Sequence, residues 1–125
     1  MTDQDLIALS EAYFAALDTR DADALARTMT KDCTLSVETH DQHYQGRAAI
    51  VDLFAARWLG PVHALHHDFT HTPSAAAGRI VSQFTATYRG DGAPDPKSNA
   101  NVFTMRDGRI ARIQVYMAGA NTVRA

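Results

Sequence analysis

The sequence of 125 residues has little cysteine, tryptophan or proline and no long apolar run. Its only cysteine, Cys33, cannot form a disulfide within the chain, so we expect a reducing compartment, most simply the cytoplasm. No apolar stretch approaches the roughly 20 residues that span a bilayer, and we expect no membrane association. The acidic opening Met-Thr-Asp-Gln-Asp has no apolar segment behind it, so we expect no signal peptide.

A dominant charge of one sign is also missing. The formal net charge is −2, from 12 Lys and Arg residues against 14 Asp and Glu, without a basic run. Nucleic-acid binding needs concentrated positive charge, so we expect no nucleic-acid partner. Glycine-rich phosphate loops and dinucleotide fingerprints are absent as well. What remains is an ordinary globular composition, 46% apolar and 21% charged, in a length that suits one domain over residues 1–125.

Hydrophobic periodicity divides the chain into a largely helical first half and an extended second half. The predicted helices cover residues 3–17, a shorter segment capped by Asp21, and residues 47–59. The predicted strands are one from Asp32 onward, then 63–72, 78–89, 99–106 and 109–118, with a polar loop or hairpin arm at 40–46. Helices followed by a run of strands predict an α+β fold, with helices on one face of a curved, mostly antiparallel sheet.

Alternation along the later strands predicts what each sheet face does. The apolar-rich faces of these strands would line a pocket between sheet and helices. The opposite faces, which carry residues such as Val81, Gln83 and Tyr116, are uncharged, as expected of an interface in a homodimer.

An acid at the end of an apolar helix and a histidine pair in an extended segment are the candidates for chemistry. Asp18 follows the apolar run that starts at Tyr13, and His66-His67 lie about fifty positions later. If folding brings them together, the carboxylate can orient an imidazole and stabilise its protonated form, which makes a general base near neutral pH. The alternative is that Asp18 only ends the first helix or caps the second.

The histidine spacing also raises the possibility of a metal site. His63, His67 and His71 repeat every four residues, which would place them on one face of a helix. In a strand, four residues span about 13 Å, too far for one ion. Since no cysteine lies nearby and the segment is predicted as a strand, we expect neither a metal nor another cofactor.

Four segments together resemble the nuclear transport factor 2-like superfamily, in particular its SnoaL-like, ketosteroid-isomerase-like and scytalone-dehydratase-like branches. They are residues 13–25 (YFAALDTRDADAL), 31–35 (KDCTL), 46–54 (GRAAIVDLF) and 101–116 (NVFTMRDGRIARIQVY). The resemblance implies a cone-shaped α/β roll whose mixed sheet and three helices enclose an apolar pocket, commonly in a homodimer. The superfamily hosts isomerases, dehydratases, cyclases and noncatalytic binders, so the fold alone does not give the function.

The resemblance to ketosteroid isomerases extends to the oxyanion donors but not to the base. Tyr13 matches their helical tyrosine, and Asn101 stands where they carry a protonated aspartate as second donor. Val37 falls where they carry the catalytic aspartate, and Glu38, one residue later, faces the other side of a strand. We therefore do not expect a ketosteroid isomerase.

Asp18 fits the dehydratase branch better. In scytalone dehydratase, the bile acid dehydratases and the hexachlorocyclohexane dehydrochlorinase, an aspartate at this point faces a histidine on the strand after the third helix. The spacing favours His66 over His67 as that histidine, although Phe69 nearby does not settle which face of the strand is inward. An epoxide hydrolase would need an Asp-Arg-Asp set that activates water. Ala118 lies near the position where related chains often carry the later acid, so the sequence does not favour this activity.

We expect a small cofactor-independent enzyme that abstracts a proton from an apolar cyclic or polyketide-like molecule, as a dehydratase, isomerase or cyclase. The alternative is a noncatalytic ligand-binding or structural domain of the same superfamily. The expected catalytic residues are Asp18, His66, Tyr13 and Asn101. The residues expected to contact the substrate are His67, Phe54, Trp58, Phe84, Tyr88, Phe103, Val115 and Met117.

Overall fold

A computed structural model describes residues 1–124, which form three α-helices and six strands. The helices are α1 (Asp3–Asp18), α2 (Ala22–Arg27) and α3 (Arg47–Trp58). The strands are β1 (Met29–Val37), β2 (Gln42–Gln45), β3 (His63–Ser74), β4 (Arg79–Arg89), β5 (Lys97–Arg106) and β6 (Arg109–Tyr116). Every predicted helix and strand is present, and the uncertain segment at 40–46 contains β2. No helix of this part of the chain is long and apolar enough to cross a membrane.

The six strands form one open sheet in the order β2-β1-β6-β5-β4-β3. β1 and β6 run parallel, and the other neighbouring strands are antiparallel. α1 packs on β3 and β4, and α3 packs on β1 and β2. The prediction of an α+β fold, with helices on a curved, mixed and mostly antiparallel sheet, is confirmed.

Local sequence explains why the first two helices start where they do. The Thr2 side chain accepts a hydrogen bond from the Asp5 N–H, while the Asp5 carboxylate accepts one from the Thr2 N–H, which forms a capping box. The predicted cap of α2 is confirmed, because the Asp21 carboxylate accepts from the Ala24 N–H at 3.0 Å. The buried side of α1 follows helical spacing: Leu6, Ser10, Tyr13, Phe14, Ala16 and Leu17.

The core lies between the helices and the inner face of the sheet, with an aromatic cluster at its centre. Phe14 contacts Phe84 with ring centroids 4.7 Å apart, and Tyr13 meets Phe103 edge-on at 5.1 Å. Cys33 is fully buried in the same core, and burial raises the pKa of its thiol to about 12. This cysteine therefore stays protonated and packs as a small apolar side chain.

β3 contains one extra residue, which changes the face that its side chains present. His66 and His71 each pair with a buried residue of β4, so both face the helices. Their separation of five residues would place them on opposite faces of a regular strand. A bulge between His67 and Thr70, where Asp68 adopts a φ of 55°, makes the two inward positions compatible.

A chain of hydrogen bonds connects β3 to α1 through the core. Ser10 Oγ lies 2.7 Å from Ser82 Oγ, which lies 2.8 Å from His71 Nδ1. The His71 ring stacks on Phe69, and its Nε2 is buried without a partner among residues 1–124. Burial lowers the pKa of His71, and the charge of Glu11 offsets part of this effect. A neutral imidazole at this position therefore favours the folded state.

We predict that the protein loses stability as the pH falls below the ordinary histidine pKa of 6.5. The pKa of His71 is lower in the folded state than in the unfolded chain. As the pH falls, the unfolded chain therefore takes up the proton at a higher pH than the folded protein, and the free energy of unfolding decreases between these two pKa values. Urea unfolding at about pH 7.5 and about pH 5.5 should show a smaller fall for His71→Gln than for the unmodified chain. An equal fall in both proteins would contradict this role of His71.

We also predict that the bulge tolerates glycine but not a β-branched residue. Asp68→Val should lower the free energy of unfolding by about 1–2 kcal/mol, because branched side chains are strained at positive φ. Asp68→Gly should be close to neutral at this φ. Both variants lose the 3.0 Å contact between Asp68 and His67 Nδ1, so their difference in urea midpoint isolates the backbone effect. Identical midpoints would show that the bulge does not depend on this conformation.

Candidate active site

A cavity opens between α1, α3 and the inner face of the sheet. The atom-free volume of this cavity is about 620 Å³ when its mouth is included, and the centre of a water molecule can occupy about 50 Å³. Its wall includes nine of the predicted residues: Tyr13, Phe54, Trp58, His66, Phe84, Tyr88, Asn101, Val115 and Met117. The cavity is therefore mostly apolar with a few polar groups, the usual character of a small-molecule site.

Asp18 and His66 meet at the edge of this cavity. Asp18 Oδ1 lies 2.6 Å from His66 Nδ1, and Asp18 Oδ2 accepts a hydrogen bond from the His66 backbone N–H at 3.2 Å. The two side chains are 22% and 14% exposed, so the contact is largely shielded from water. Phe14 and Phe84 flank the imidazole, with ring centroids 5.1 and 5.4 Å away. Both carboxylate oxygens thus hold a single residue of β3 in place.

Helix capping does not account for Asp18. Asp21 caps the start of α2. At the end of α1, the C-cap residue is Thr19, whose hydroxyl donates to the Ala15 carbonyl. Arg20 adopts a positive φ of 55°, which turns the chain sharply after the helix. The last residue of α1 is therefore free to direct its carboxylate toward β3.

The geometry leaves one nitrogen of His66 available for chemistry. A carboxylate can only accept hydrogen bonds, so Nδ1 carries the proton when the ring is neutral, and Nε2 carries the lone pair. No described residue hydrogen-bonds to Nε2, and His66 lines the cavity. The carboxylate also stabilises the imidazolium that forms once Nε2 takes up a proton. This is the arrangement of an oriented general base.

Tyr13 and Asn101 place polar groups on the same wall. Tyr13 is 1% exposed, burial raises the pKa of its phenol well above the ordinary value, and no residue of the described chain hydrogen-bonds to it. The phenol is therefore a neutral donor. Asn101 is 3% exposed, and its Oδ1 has no partner among residues 1–124. Two buried polar groups without protein partners beside a cavity suit hydrogen bonds to a ligand.

Two residues predicted to contact the substrate lie elsewhere. His67 is not on the cavity wall: its ring is 43% exposed and contacts Asp68, because it follows His66 on the strand and faces the other side. Phe103 is fully buried beneath Tyr13 and does not reach the cavity. Phe103 was placed on the cavity wall by alternation, which indicates a face but not the depth of a side chain. His67 was the neighbour of His66, and adjacent residues of a strand face opposite sides.

The isomerase base is absent here, as the sequence indicated. Val37 is fully buried, and Glu38 begins a short 3-10 turn. The Glu38 carboxylate accepts hydrogen bonds from Ser36 and Gln114 and is exposed, so it does not line the cavity.

The three regularly spaced histidines of β3 point to three different places. His63 Nε2 lies 3.1 Å from the Asp18 carbonyl oxygen, His67 is exposed, and His71 lies in the core. Within residues 1–124, no group of three or more His, Cys, Asp or Glu side chains converges in a way that could hold a metal ion. The extended backbone separates these rings as strand geometry requires.

Three parts of the wall were missed by sequence reasoning. Arg20, Arg57 and the C-terminal residues Thr122 and Val123 all border the cavity. Arg57 could have been found, because a charged residue interrupts the apolar stripe of α3 at that position. Nothing local marked the C-terminal residues, which reach the cavity only because the chain folds back after β6.

A family model described as a SnoaL-like domain matches residues 10–113. Similar solved structures include a candidate polyketide cyclase from Xanthomonas campestris pv. campestris, with 22% identity and a TM-score of 0.77 over 91% of this chain and 90% of that one. A candidate isomerase from Bacillus subtilis has 20% identity and a TM-score of 0.80, over 94% and 90%. A candidate ketosteroid isomerase from Kribbella flavida has 14% identity and a TM-score of 0.73, over 95% and 82%.

Among curated proteins, none matches the chain. The identities to the solved structures are too low to carry an activity across, and they show a shared fold. The family model covers most of the chain, and the fold agrees with it. The chain therefore belongs to the SnoaL-like domain family, with the NTF2-like α+β cone fold.

Proposed function

We propose that the protein is a small cofactor-independent enzyme that abstracts a proton from an apolar cyclic or polyketide-like molecule, acting as a dehydratase, isomerase or cyclase. The observation that carries this proposal is the 2.6 Å contact between Asp18 and His66 at the wall of an apolar cavity. A domain that only binds or packs has no need of a shielded carboxylate held against an imidazole whose other nitrogen faces the cavity.

The proposed reaction begins at His66. Its Nε2 takes a proton from a carbon next to a carbonyl or a leaving group, and the electron pair of that C–H bond moves to the carbonyl oxygen or expels the leaving group. Asp18 stabilises the resulting imidazolium. The Tyr13 hydroxyl and the Asn101 Nδ2 group would donate hydrogen bonds to the oxygen where negative charge develops, while Asn101 Oδ1 would accept one from a donor of the substrate.

An epoxide hydrolase of the Asp-Arg-Asp type is not supported by the cavity. Its wall contains Arg20 and Arg57, but no carboxylate side chain of residues 1–124 lines it. Asp18, at the edge of the cavity, is already bonded to the His66 imidazole.

A homodimer and a cytoplasmic location are part of the same proposal. The outer face of the sheet leaves Val81 36% and Tyr116 41% exposed, with Gln83 between them on the same face. We infer that two copies pair through the surface around these three uncharged residues, although Arg112 lies on the same face. The free, buried thiol of Cys33 is compatible with a cytoplasmic enzyme.

The base can be tested with 5-nitrobenzisoxazole, an apolar bicyclic probe. Removal of its ring proton breaks the N–O bond and releases a coloured nitrophenolate. We predict that His66→Gln lowers kcat/KM for this reaction by about 10²-fold or more, because the only oriented base is lost. His67→Gln, the matched control on the outer face, should retain the rate within about twofold. If the unmodified protein is no faster than His66→Gln, the chain is a noncatalytic binding or structural domain.

The carboxylate can be tested through stability and NMR. Asp18→Ala should lower the free energy of unfolding by about 1–3 kcal/mol, because it leaves two hydrogen-bond donors of His66 without an acceptor. It should also abolish the downfield resonance that a protected Nδ1–H bonded to a carboxylate gives. Asp68→Ala removes the exposed carboxylate beside His67 and is the matched control. An unchanged His66 spectrum in Asp18→Ala would contradict the proposed orientation.

A further inference from the structure

Three arginines lie at the mouth of the cavity and have no ion-pair partner among residues 1–124. Arg20 and Arg57 border the cavity, and Arg57 and Arg124 border the adjoining outer pocket. Burial, together with the nearby charges of Arg20 and Arg124, lowers the pKa of Arg57. Within residues 1–124, no salt bridge involves any of the three. Like charges held this close favour an anion between them.

The described acids of the neighbouring loop and of α1 form no ion pair with these arginines. The loop after β4 carries Asp91 and Asp95 beside the outer pocket, but both are exposed and neither forms an ion pair in the described chain. Asp18 is bonded to His66. Among residues 1–124, the charges at the mouth of the cavity are therefore positive, although the protein as a whole carries a formal net charge of −2.

The hydrogen bonds of Arg20 assign it a structural role. Its Nη1 donates to the Trp58 carbonyl at 2.8 Å and its Nη2 donates to the Val62 carbonyl at 3.2 Å, while its Nε is buried without a partner among residues 1–124. Arg20 thus ties the turn after α1 to the end of α3 and to the following loop, and both of its terminal nitrogens are engaged in these contacts.

Arg57 differs because most of its donors remain available. The apolar stripe of α3 carries its side chain toward the cavity, one turn after Leu53 and Phe54. One nitrogen donates to the Thr122 carbonyl, and Tyr88 bonds to the Thr122 hydroxyl beside it. A guanidinium has five N–H donors in a planar fork, so a single carbonyl leaves room for a bidentate partner. Burying such a group without a counter-charge is unfavourable unless a ligand supplies one.

We propose that the substrate carries a carboxylate on its apolar ring system, and that this carboxylate binds the Arg57 guanidinium at the mouth of the cavity. The ring would then lie deeper in the cavity, against Phe84 and His66, with the reacting carbon near Nε2. This inference rests on the proposed function, because it specifies the substrate class of the same site. A planar guanidinium pairs with a carboxylate through two parallel hydrogen bonds, which also fixes the orientation of the ring.

The test compares cyclohexanecarboxylate with cyclohexanecarboxamide, two probes of similar shape that differ in charge. Dissociation constants come from NMR titration of the Trp58 indole N–H, a cavity residue and the only tryptophan. The carboxylate should bind about tenfold or more tightly than the amide and should shift the Arg57 Nε–H resonance, which the amide leaves in place. Arg57→Gln should remove this preference and change amide binding by less than about threefold.

Two further variants distinguish a specific effect of Arg57 from a change in net charge and from a loss of folding. Arg27→Gln makes the same charge change on the exposed end of α2 and should keep the preference. Arg57→Lys keeps the charge and should retain part of the preference even if Arg57→Gln folds poorly. Equal binding of both probes to the unmodified protein, or a preference that survives Arg57→Gln, overturns this inference alone. If neither probe shifts Trp58, the ligand site itself fails, and the proposed function falls with it.

Discussion

Strand β3 has to turn both His66 and His71 toward the helices, and in a regular strand residues five apart face opposite sides. The extra residue at Asp68 resolves this conflict. Before the bulge, the inward side chain is the one that meets Asp18. After it, the inward side chains are Phe69, which closes the aromatic cluster, and His71, which joins the core hydrogen bonds. Without the bulge, His66 and the Phe69 ring could not share the cavity side of the sheet.

The charged groups around the cavity come from different elements of the fold. Asp18 and His66 lie where α1 meets β3, whereas Arg57 lies on α3 beside the C-terminal residues, at the mouth. Apolar side chains occupy most of the wall between them and exclude water, which strengthens each electrostatic interaction. A ligand held at the mouth through a charged group would present its ring to the base. This separation of binding from proton transfer allows remote contacts to position the reacting carbon.

Sequence periodicity predicted most of the fold because its signals are local. In α1, the apolar spacing and the capping contact involve residues only three or four positions apart in the sequence. The Asp21 cap of α2 is equally local. β2 was uncertain because its four residues are mostly exposed, so that pairing with β1, rather than its own pattern, defines it as a strand. Phe103 was assigned to the cavity by alternation, which cannot indicate how deep a side chain lies. His67 was the alternative to His66 and lies on the opposite face of the strand.

The sequence by itself determined the fold class, the family and the short set of residues able to do acid–base chemistry, since composition, periodicity and motif spacing are all properties of the linear chain. It left His66 and His67 as alternatives, because one inserted residue in a strand exchanges its two faces. Only the tertiary structure decided that choice, through the bulge at Asp68 and the contact with Asp18. It also decided the position of Arg57, because the charge of a cavity depends on residues far apart in sequence that meet only in the folded chain.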